Sequence, residues 1–347
     1  MAKTDRITLA ADRWTKNDFF CAGACASVLA PAAGFPTAPH ANMPVSGLRP
    51  PRGFMQNRLS KALPLALLAA LGVLGVGMPR LRAADLSPAT TTAFERYVKA
   101  AEARMAREGA TPGDFLYIEQ LPKPRYDEVM SMLRQGQVYV ERLETTDASD
   151  HQIDVPGGMV HHWVGAVLVP GRSLSSAFTV LRNYNNYKEI YRPQVTRSRL
   201  ISHHDDDFEI YMRLQKKSIV TVTLDTWYKI HDSQIDPAHG YTRSYSTRIQ
   251  QVEDAGTPQE HRDPVGQDSG YLWRINSYWR YEQCKDGLII EWESISLSRE
   301  IPFLIAWFVK PLVRNISHDT VQDMLTATRK AILTAKAQEN RAQHSPR

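Results

Sequence analysis

The sequence predicts an α+β fold, an antiparallel sheet followed by a long C-terminal helix, with a mainly helical extension ahead of the sheet. Three observations predict it. Between Met159 and Arg299 the chain runs through short alternating segments separated by turn residues. Asp286-Gly287 is a strong two-residue hairpin signal that makes the last two of these strands antiparallel. After Ser317, a helix-capping residue, Val321, Met324, Leu325, Thr328, Ile332 and Ala335 recur at helix spacing and form one apolar stripe.

Taken in order, residues 85–150 read as the helical extension. Pro88 suits a first helical turn, and "TTAFERYVKAAEARMAREG" places Phe94, Val98, Ala101 and Met105 on one side before Gly109 ends the helix. A second helix fits "RYDEVMSMLRQG", and a strand fits "QVYVERLE". The polar run "TTDASDHQ" then reads as a linker. The main domain, 151–337, opens on the strand "MVHHWVGAVLV", stopped by Pro170-Gly171. Two short helices follow, "LSSAFTVLRN" and "YNNYKEIY". Four strands come next: "QVTRSRLISH", "DFEIYMRLQ", "IVTVTLDTWYKI" and "YTRSYSTRIQ". A long polar loop leads to the hairpin, and 338–347 read as a disordered tail.

Charge and leader set the compartment. Residues 1–84 hold ten Lys/Arg against three Asp, while the other 32 basic and 34 acidic residues leave the body slightly negative. That body lacks the footprint of a phosphate binder, so a nucleic-acid partner is not expected. Within 55–84, Arg58 and Lys61 precede an uncharged run from Ala62 to Met78 and the small residues Ala83-Ala84. This is the layout of a cleaved signal peptide, and it predicts a periplasmic or secreted protein; a retained N-terminal membrane anchor is the alternative. Residues 1–54, rich in Ala and Pro, read as a disordered or mis-annotated upstream segment, with Met55 as the start. Only Cys284 follows the leader, so no internal disulfide is available.

Three segments carry a resemblance: "VLRNYNNYKEIYRPQVTRSRLI", "YLWRINSYWR" and "SREIPFLIAWFVKP". Together with the element order they resemble the START-related helix-grip superfamily, which includes pollen-allergen-like proteins, polyketide cyclases and coenzyme Q-binding proteins. The resemblance covers about residues 157–337. It implies a curved antiparallel sheet gripping the long helix, an apolar cavity between them, and a hydrophobic ligand such as a lipid, quinone or polyketide-like molecule.

The hairpin "YLWRINSYWRYEQCKDGLIIEWESISLSRE" is the informative stretch. A two-residue turn at Asp286-Gly287 pairs Tyr281 with Trp292 and Arg280 with Glu293. One face then collects Trp273, Ile275, Ser277, Trp279, Tyr281, Ile290 and Trp292, interleaved with Ser294, Ser296 and Ser298. Large rings beside small hydroxyls describe a cavity wall better than a jigsaw core; a core filled by the last helix is the alternative. Tyr228 extends the wall from one neighbouring strand. Tyr241, Tyr245 and Ile249 extend it from another, with Arg243 on the same face as a partner for a polar head. The expected ligand-binding set is therefore Trp273, Trp279, Tyr281, Trp292, Ser294, Tyr228, Tyr245 and Arg243. The opposite face carries Arg274, Arg280, Glu282, Glu291 and Glu293, yet also Tyr278, Ile295 and Leu297, which the helical extension is expected to cover.

Catalytic signals are thin. His161-His162 and His203-His204 are adjacent on strands, so each pair lends at most one ligand to a metal site. No nucleophile motif or phosphate loop is present. No catalytic residue, cofactor or metal is assigned. The expected function is binding of a hydrophobic small molecule; a cyclase or aromatase on the same fold and a protein-interaction module with a filled cavity are the alternatives. Ile301 to Val309 is apolar around the helical circle. It is either core or a lid that touches a membrane surface through Trp307, Lys310 and Arg314.

Overall fold

Strand β3 (Gly158–Pro170) and strand β11 (Gly287–Arg299) form the centre of one half of the sheet, and the remaining strands extend outward from them. On one side β3 carries the edge strand β2 (Tyr139–Arg142). On the other, β11 is followed by β10 (Arg274–Cys284), β7 (His239–Glu253), β6 (Thr221–Gln234), β5 (Asp207–Lys217) and β4 (Val195–His204). Every neighbouring pair is antiparallel. Short β8 (His261–Arg262) adds to β7, and β1 (Ala84–Asp85) pairs with β9 (Gln267–Asp268). This computed structural model describes residues 84–109, 113–217, 221–301 and 316–335. The expected upstream segment 1–54, the expected signal peptide apart from Ala84, the segment 302–315 for which core or lid is expected, and the expected tail lie outside the described residues.

Helix α1 (Pro88–Glu108) begins where the sequence places it. Ser87 Oγ accepts a hydrogen bond from the Thr90 amide at 3.0 Å, and Pro88 fills the first turn. Phe94, Tyr97, Val98 and Ala101 are buried against Trp273, Tyr278, Ile295 and Leu297. Helix α2 (Lys123–Arg134) buries Val129, Met130 and Leu133 against Ala166, Leu168 and Ile289. The extension thus covers the outer face of the sheet. Helices α3 (Leu174–Leu181) and α4 (Tyr187–Ile190) link β3 to β4. The last helix, α5 (316–335), lies on the inner face, with Val321, Leu325 and Ile332 packed among Trp163, Val167, Tyr281 and Trp292. Sheet, two short linking helices and a long closing helix make this an α+β helix-grip fold.

The hairpin register differs from expectation by one step on each strand. Cys284 pairs with Gly287, so Lys285 and Asp286 form the turn; Trp279 stands opposite Trp292 and Arg280 opposite Glu291. A Cβ on Gly287 would lie 2.3 Å from Val169 O, so glycine is required there by the close approach of β3 rather than as a turn centre. Moving both partners together keeps the side-chain period, and the faces of β10 and β11 stay as predicted.

Between the extension and the sheet lies a layer of buried charge. Arg280 Nη1 donates to Glu108 Oε2 and to Phe115 O, both at 3.0 Å, and Nη2 is 2.9 Å from Glu291 Oε1. Arg104 binds Glu108 and Glu293, and His162 Nε2 is 2.6 Å from Glu293 Oε1. Burial alone would raise Glu293, but His162, Arg104 and Arg280 hold its carboxyl below the usual range. Glu291, which accepts the amides of Tyr117 and Ile118, is raised, chiefly by burial.

A second carboxylate pair gives a pH dependence of the opposite sign. Burial, then the neighbouring Glu119, pushes Glu282 up to about 7 against the opposing pull of His239, whose Nε2 is 4.0 Å from Glu282 Oε2, and that oxygen has no hydrogen-bond partner among the described residues. The folded value lies above the unfolded one of about 4.3, so the folded state binds more protons between the two. Stability from this group is present below the unfolded value and falls as pH rises toward 7. Glu282→Gln is therefore expected to leave the melting temperature unchanged near pH 4 and to stabilise the fold by about 1–2 kcal/mol at pH 8. Thermal unfolding across that range checks it; a deficit at pH 8 would mean the charged carboxylate is welcome.

Candidate functional site

Between the inner face of the sheet and α5 is a cavity of about 600 Å³. Its wall follows from strand period. On β3, Met159, His161 and Trp163 point in, while His162 and Val164, the latter directly opposite Glu293, point to the extension side. On β10 and β11 the inward set is Ile275, Ser277, Trp279 and Tyr281 with Trp292, Ser294, Ser296 and Ser298. Strands β5 and β6 add Ile210, Met212, Leu224, Tyr228 and Ile230. Helix α5 contributes Thr320, Val321 and Met324, and the segment linking β3 to β4 contributes Tyr184, Tyr187 and Tyr191. Trp279 and Trp292 stack at 5.1 Å with an 11° interplanar angle, as their direct opposition on adjacent strands dictates.

The structure brings five of the eight expected residues to this wall: Trp279, Tyr281, Trp292, Ser294 and Tyr228. The other three lie elsewhere. Trp273 stands on a bend before β10 begins, so the period does not reach it. Its ring packs under α1, with Nε1 donating to Asp268 Oδ1 at 3.2 Å. Tyr245 and Arg243 face outward because a bulge at Thr247 inserts one residue between the pairs Tyr228–Ser246 and Trp227–Arg248. Ile249 keeps the face of Thr226, whereas Tyr241, Arg243 and Tyr245 take the face of Arg280, Tyr278 and Asn276. Tyr245 Oη donates to Glu102 Oε1 on α1 at 2.6 Å, and the Arg243 guanidinium sits 5.4 Å from the Tyr241 ring centroid.

Polar groups on the wall are of two kinds. One kind is internally satisfied. Asp232 accepts from Arg182 Nε at 2.9 Å and from Thr242 Oγ1 at 2.6 Å, and Thr242 also meets Tyr281 Oη at 3.2 Å. Tyr191 Oη is 3.0 Å from Thr328 Oγ1 on α5. Burial pushes the Tyr191 and Tyr228 phenols up to about 12, so both stay protonated. The other kind is chemically available. His161 Nε2 is 2.8 Å from Ser298 Oγ, and burial pushes the imidazole down to about 4, so it is neutral near pH 7. His161 and Asp232 were not singled out from sequence as site residues. The alternation Met159, His161, Trp163 was the available signal for the first; nothing in the sequence distinguishes Asp232 from other strand aspartates.

No protein-family profile matches the chain, and no curated protein matches it. Similar solved structures include a STAR-related lipid transfer protein from Xanthomonas axonopodis. It is 17% identical with a TM-score of 0.35, over 52% of this chain and 94% of that one. Human STARD10 is 12% identical with a TM-score of 0.38, over 65% of this chain and 84% of its own. The Zhui aromatase/cyclase from a Streptomyces species is 12% identical with a TM-score of 0.32, over 54% of this chain and all of its own. The helix-grip assignment rests on the strand order and on the position of α5, and in that architecture the chain resembles the START-related proteins.

Proposed function

We propose that the protein is an exported carrier or sensor that binds a hydrophobic small molecule in the cavity beneath α5. The carrying observation is the cavity itself: about 600 Å³, walled by aromatic and aliphatic side chains with a few hydroxyls. Covering roughly 300 Å² of apolar ligand surface contributes on the order of 7 kcal/mol. Ordering costs take back several of these, which leaves a site of roughly millimolar affinity for a ligand of that size without charge recognition, and a ligand that covers more apolar surface binds more tightly. Export rests on the basic, apolar and small-residue succession in 55–84.

A second reading, an enzyme of the cyclase or aromatase type, draws on His161. A neutral imidazole hydrogen-bonded to Ser298 inside an apolar cavity is placed to move a proton to or from a bound substrate. Solvent extraction of protein purified from its native cells, with mass spectrometry of the extract, separates the readings. A co-purifying apolar molecule released unchanged supports the carrier, and chemical conversion of an added substrate that is lost in His161→Ala supports the enzyme. Reproducibly empty protein that takes up no apolar probe would sink both.

The wall assignment has its own test. Trp279→Ala and Trp292→Ala are each expected to weaken binding of an apolar probe such as naphthalene by about ten-fold, the loss of part of one aromatic contact surface. Arg280→Ala, on the opposite face, is expected to leave it within two-fold at a temperature where the variant is folded. The reverse ranking would place the site on the outer face.

A further inference from the structure

The sheet register sets three hydroxyls side by side in the cavity. Ser277 on β10 stands opposite Ser244 on β7 and, on its other side, opposite Ser294 on β11. Directly opposed residues share a face, so the three stand in a row across three strands, about 4.8 Å apart from strand to strand. The row is bounded by Ile230 beyond Ser244 and by Trp163 beyond Ser294. All three line the cavity, and Ser244 and Ser294 are each only 8% exposed.

Their hydroxyls, like that of Ser296 on the same face of β11, have no hydrogen-bond partner among the described residues, whereas other wall hydroxyls nearby are engaged. Thr242 binds Asp232, Ser246 accepts the Ile275 amide, and Ser298 meets His161. Serine is a poor strand residue and a poor core residue, and an unpaired hydroxyl in an apolar cavity costs free energy until another oxygen pairs with it. Alanine would serve a purely apolar wall better. Charge is also absent from the row. The cavity cations Lys216 and Arg299 sit at the far ends of β5 and β11, and Asp232 is already held by Arg182. An anionic group at the row would therefore be desolvated without compensation.

We infer that Ser244, Ser277 and Ser294 form a polar subsite that selects a neutral, flat ligand carrying two oxygen atoms in 1,3-relation along one edge. Adjacent serines each bind one of these oxygens. The match is geometric: oxygens in meta relation on a six-membered ring are separated by nearly the strand spacing, whereas ortho oxygens are too close to meet two neighbouring serines. A ligand with no oxygen leaves the hydroxyls dry and unpaired, and is rejected for that reason. The inference deepens the proposed binding function and depends on it.

Equilibrium dialysis of the protein with 1,3-dihydroxynaphthalene, 2,3-dihydroxynaphthalene and naphthalene tests it. The 1,3-isomer is expected to bind about ten-fold more tightly than naphthalene and measurably more tightly than the 2,3-isomer. Ser277→Ala removes the central partner. It is expected to abolish the preference for the 1,3-isomer while naphthalene binds at least as well as before, which also shows that the variant is folded; the double substitution Ser244→Ala/Ser294→Ala, which leaves Ser277 without an adjacent hydroxyl, gives the same pattern independently. Equal affinity for the two isomers, or a preference that survives both substitutions, overturns the subsite while leaving a binding cavity. Absence of binding by all three probes overturns the cavity reading as well.

Discussion

Arg280→Ala is expected to destabilise the fold by about 3–5 kcal/mol, the range for removing one partner from a buried ionic network. The reason is what it leaves behind. Two guanidiniums, Arg104 and Arg280, serve three buried carboxylates, Glu108, Glu291 and Glu293. Glu291 is 2.9 Å from Arg280 and beyond the reach of the contacts made by Arg104, so truncation leaves it with only the amides of Tyr117 and Ile118. The Phe115 carbonyl loses its donor too. Since Glu108 lies on α1 and Phe115 precedes the turn Tyr117–Gln120, the damage falls on the seam between extension and sheet. The sign with pH follows from ionisation. The penalty is largest where the carboxylates are charged and shrinks as pH falls and Glu291, already raised by burial and now without its guanidinium, takes up a proton. Urea unfolding at pH 7 and pH 4 measures both parts. A loss below 1 kcal/mol at pH 7 would show that water enters the seam and screens these charges.

That seam also marks a limit of sequence reading. Arg280, Glu291 and Glu293 have the pattern of a solvated strand face, and only Tyr278, Ile295 and Leu297 among them signalled a cover. The cover was legible as an amphipathic helix, but its polar groups were not legible as partners, because Glu108 and Arg280 meet across 172 residues of chain. Long-range pairing of this kind has no local signature. The sheet itself was readable because alternation and turns are local. The inward faces of β10 and β11 survived an error in register because moving both strands by one residue preserves parity. Parity failed only where the backbone interrupts it, at the bend before Arg274 and at the bulge opposite Trp227-Tyr228. Those two interruptions account for all three misplaced residues, Trp273, Tyr245 and Arg243. The same bulge hid Ser244: without it, the aromatic alternate of β7 looked like the buried one, and the hydroxyl alternate looked wet.

The grip itself hinges on a missing side chain. Gly165 on β3 stands between Trp292 on β11 and Val140 on β2, directly under α5. A Cβ there would come within 2.7 Å of both Leu325 Cδ1 and Val321 Cγ1, and within 2.9 Å of Tyr139 O. Methyl groups on α5 can retreat, but a strand carbonyl held in the ladder cannot. Gly165→Val is therefore expected to cost about 3 kcal/mol, the upper part of the range for overpacking a tight core, with Gly165→Ala costing less because it adds only the first carbon. The strain has a direction: α5 is pushed away from β3, and Trp163 and Trp292 lose their cover on the same movement. Binding of naphthalene is then expected to weaken together with stability, because the helix that closes the cavity is the element displaced. Coupling gives a sharper readout than either loss alone. Leu325→Ala opens room for the new methyl groups, so its cost in the Gly165→Val background is expected to be smaller than in the native protein by about 1 kcal/mol. Strict additivity of the two substitutions in urea unfolding would mean that α5 does not rest on β3 at this point, and the cavity would have to be closed by something else.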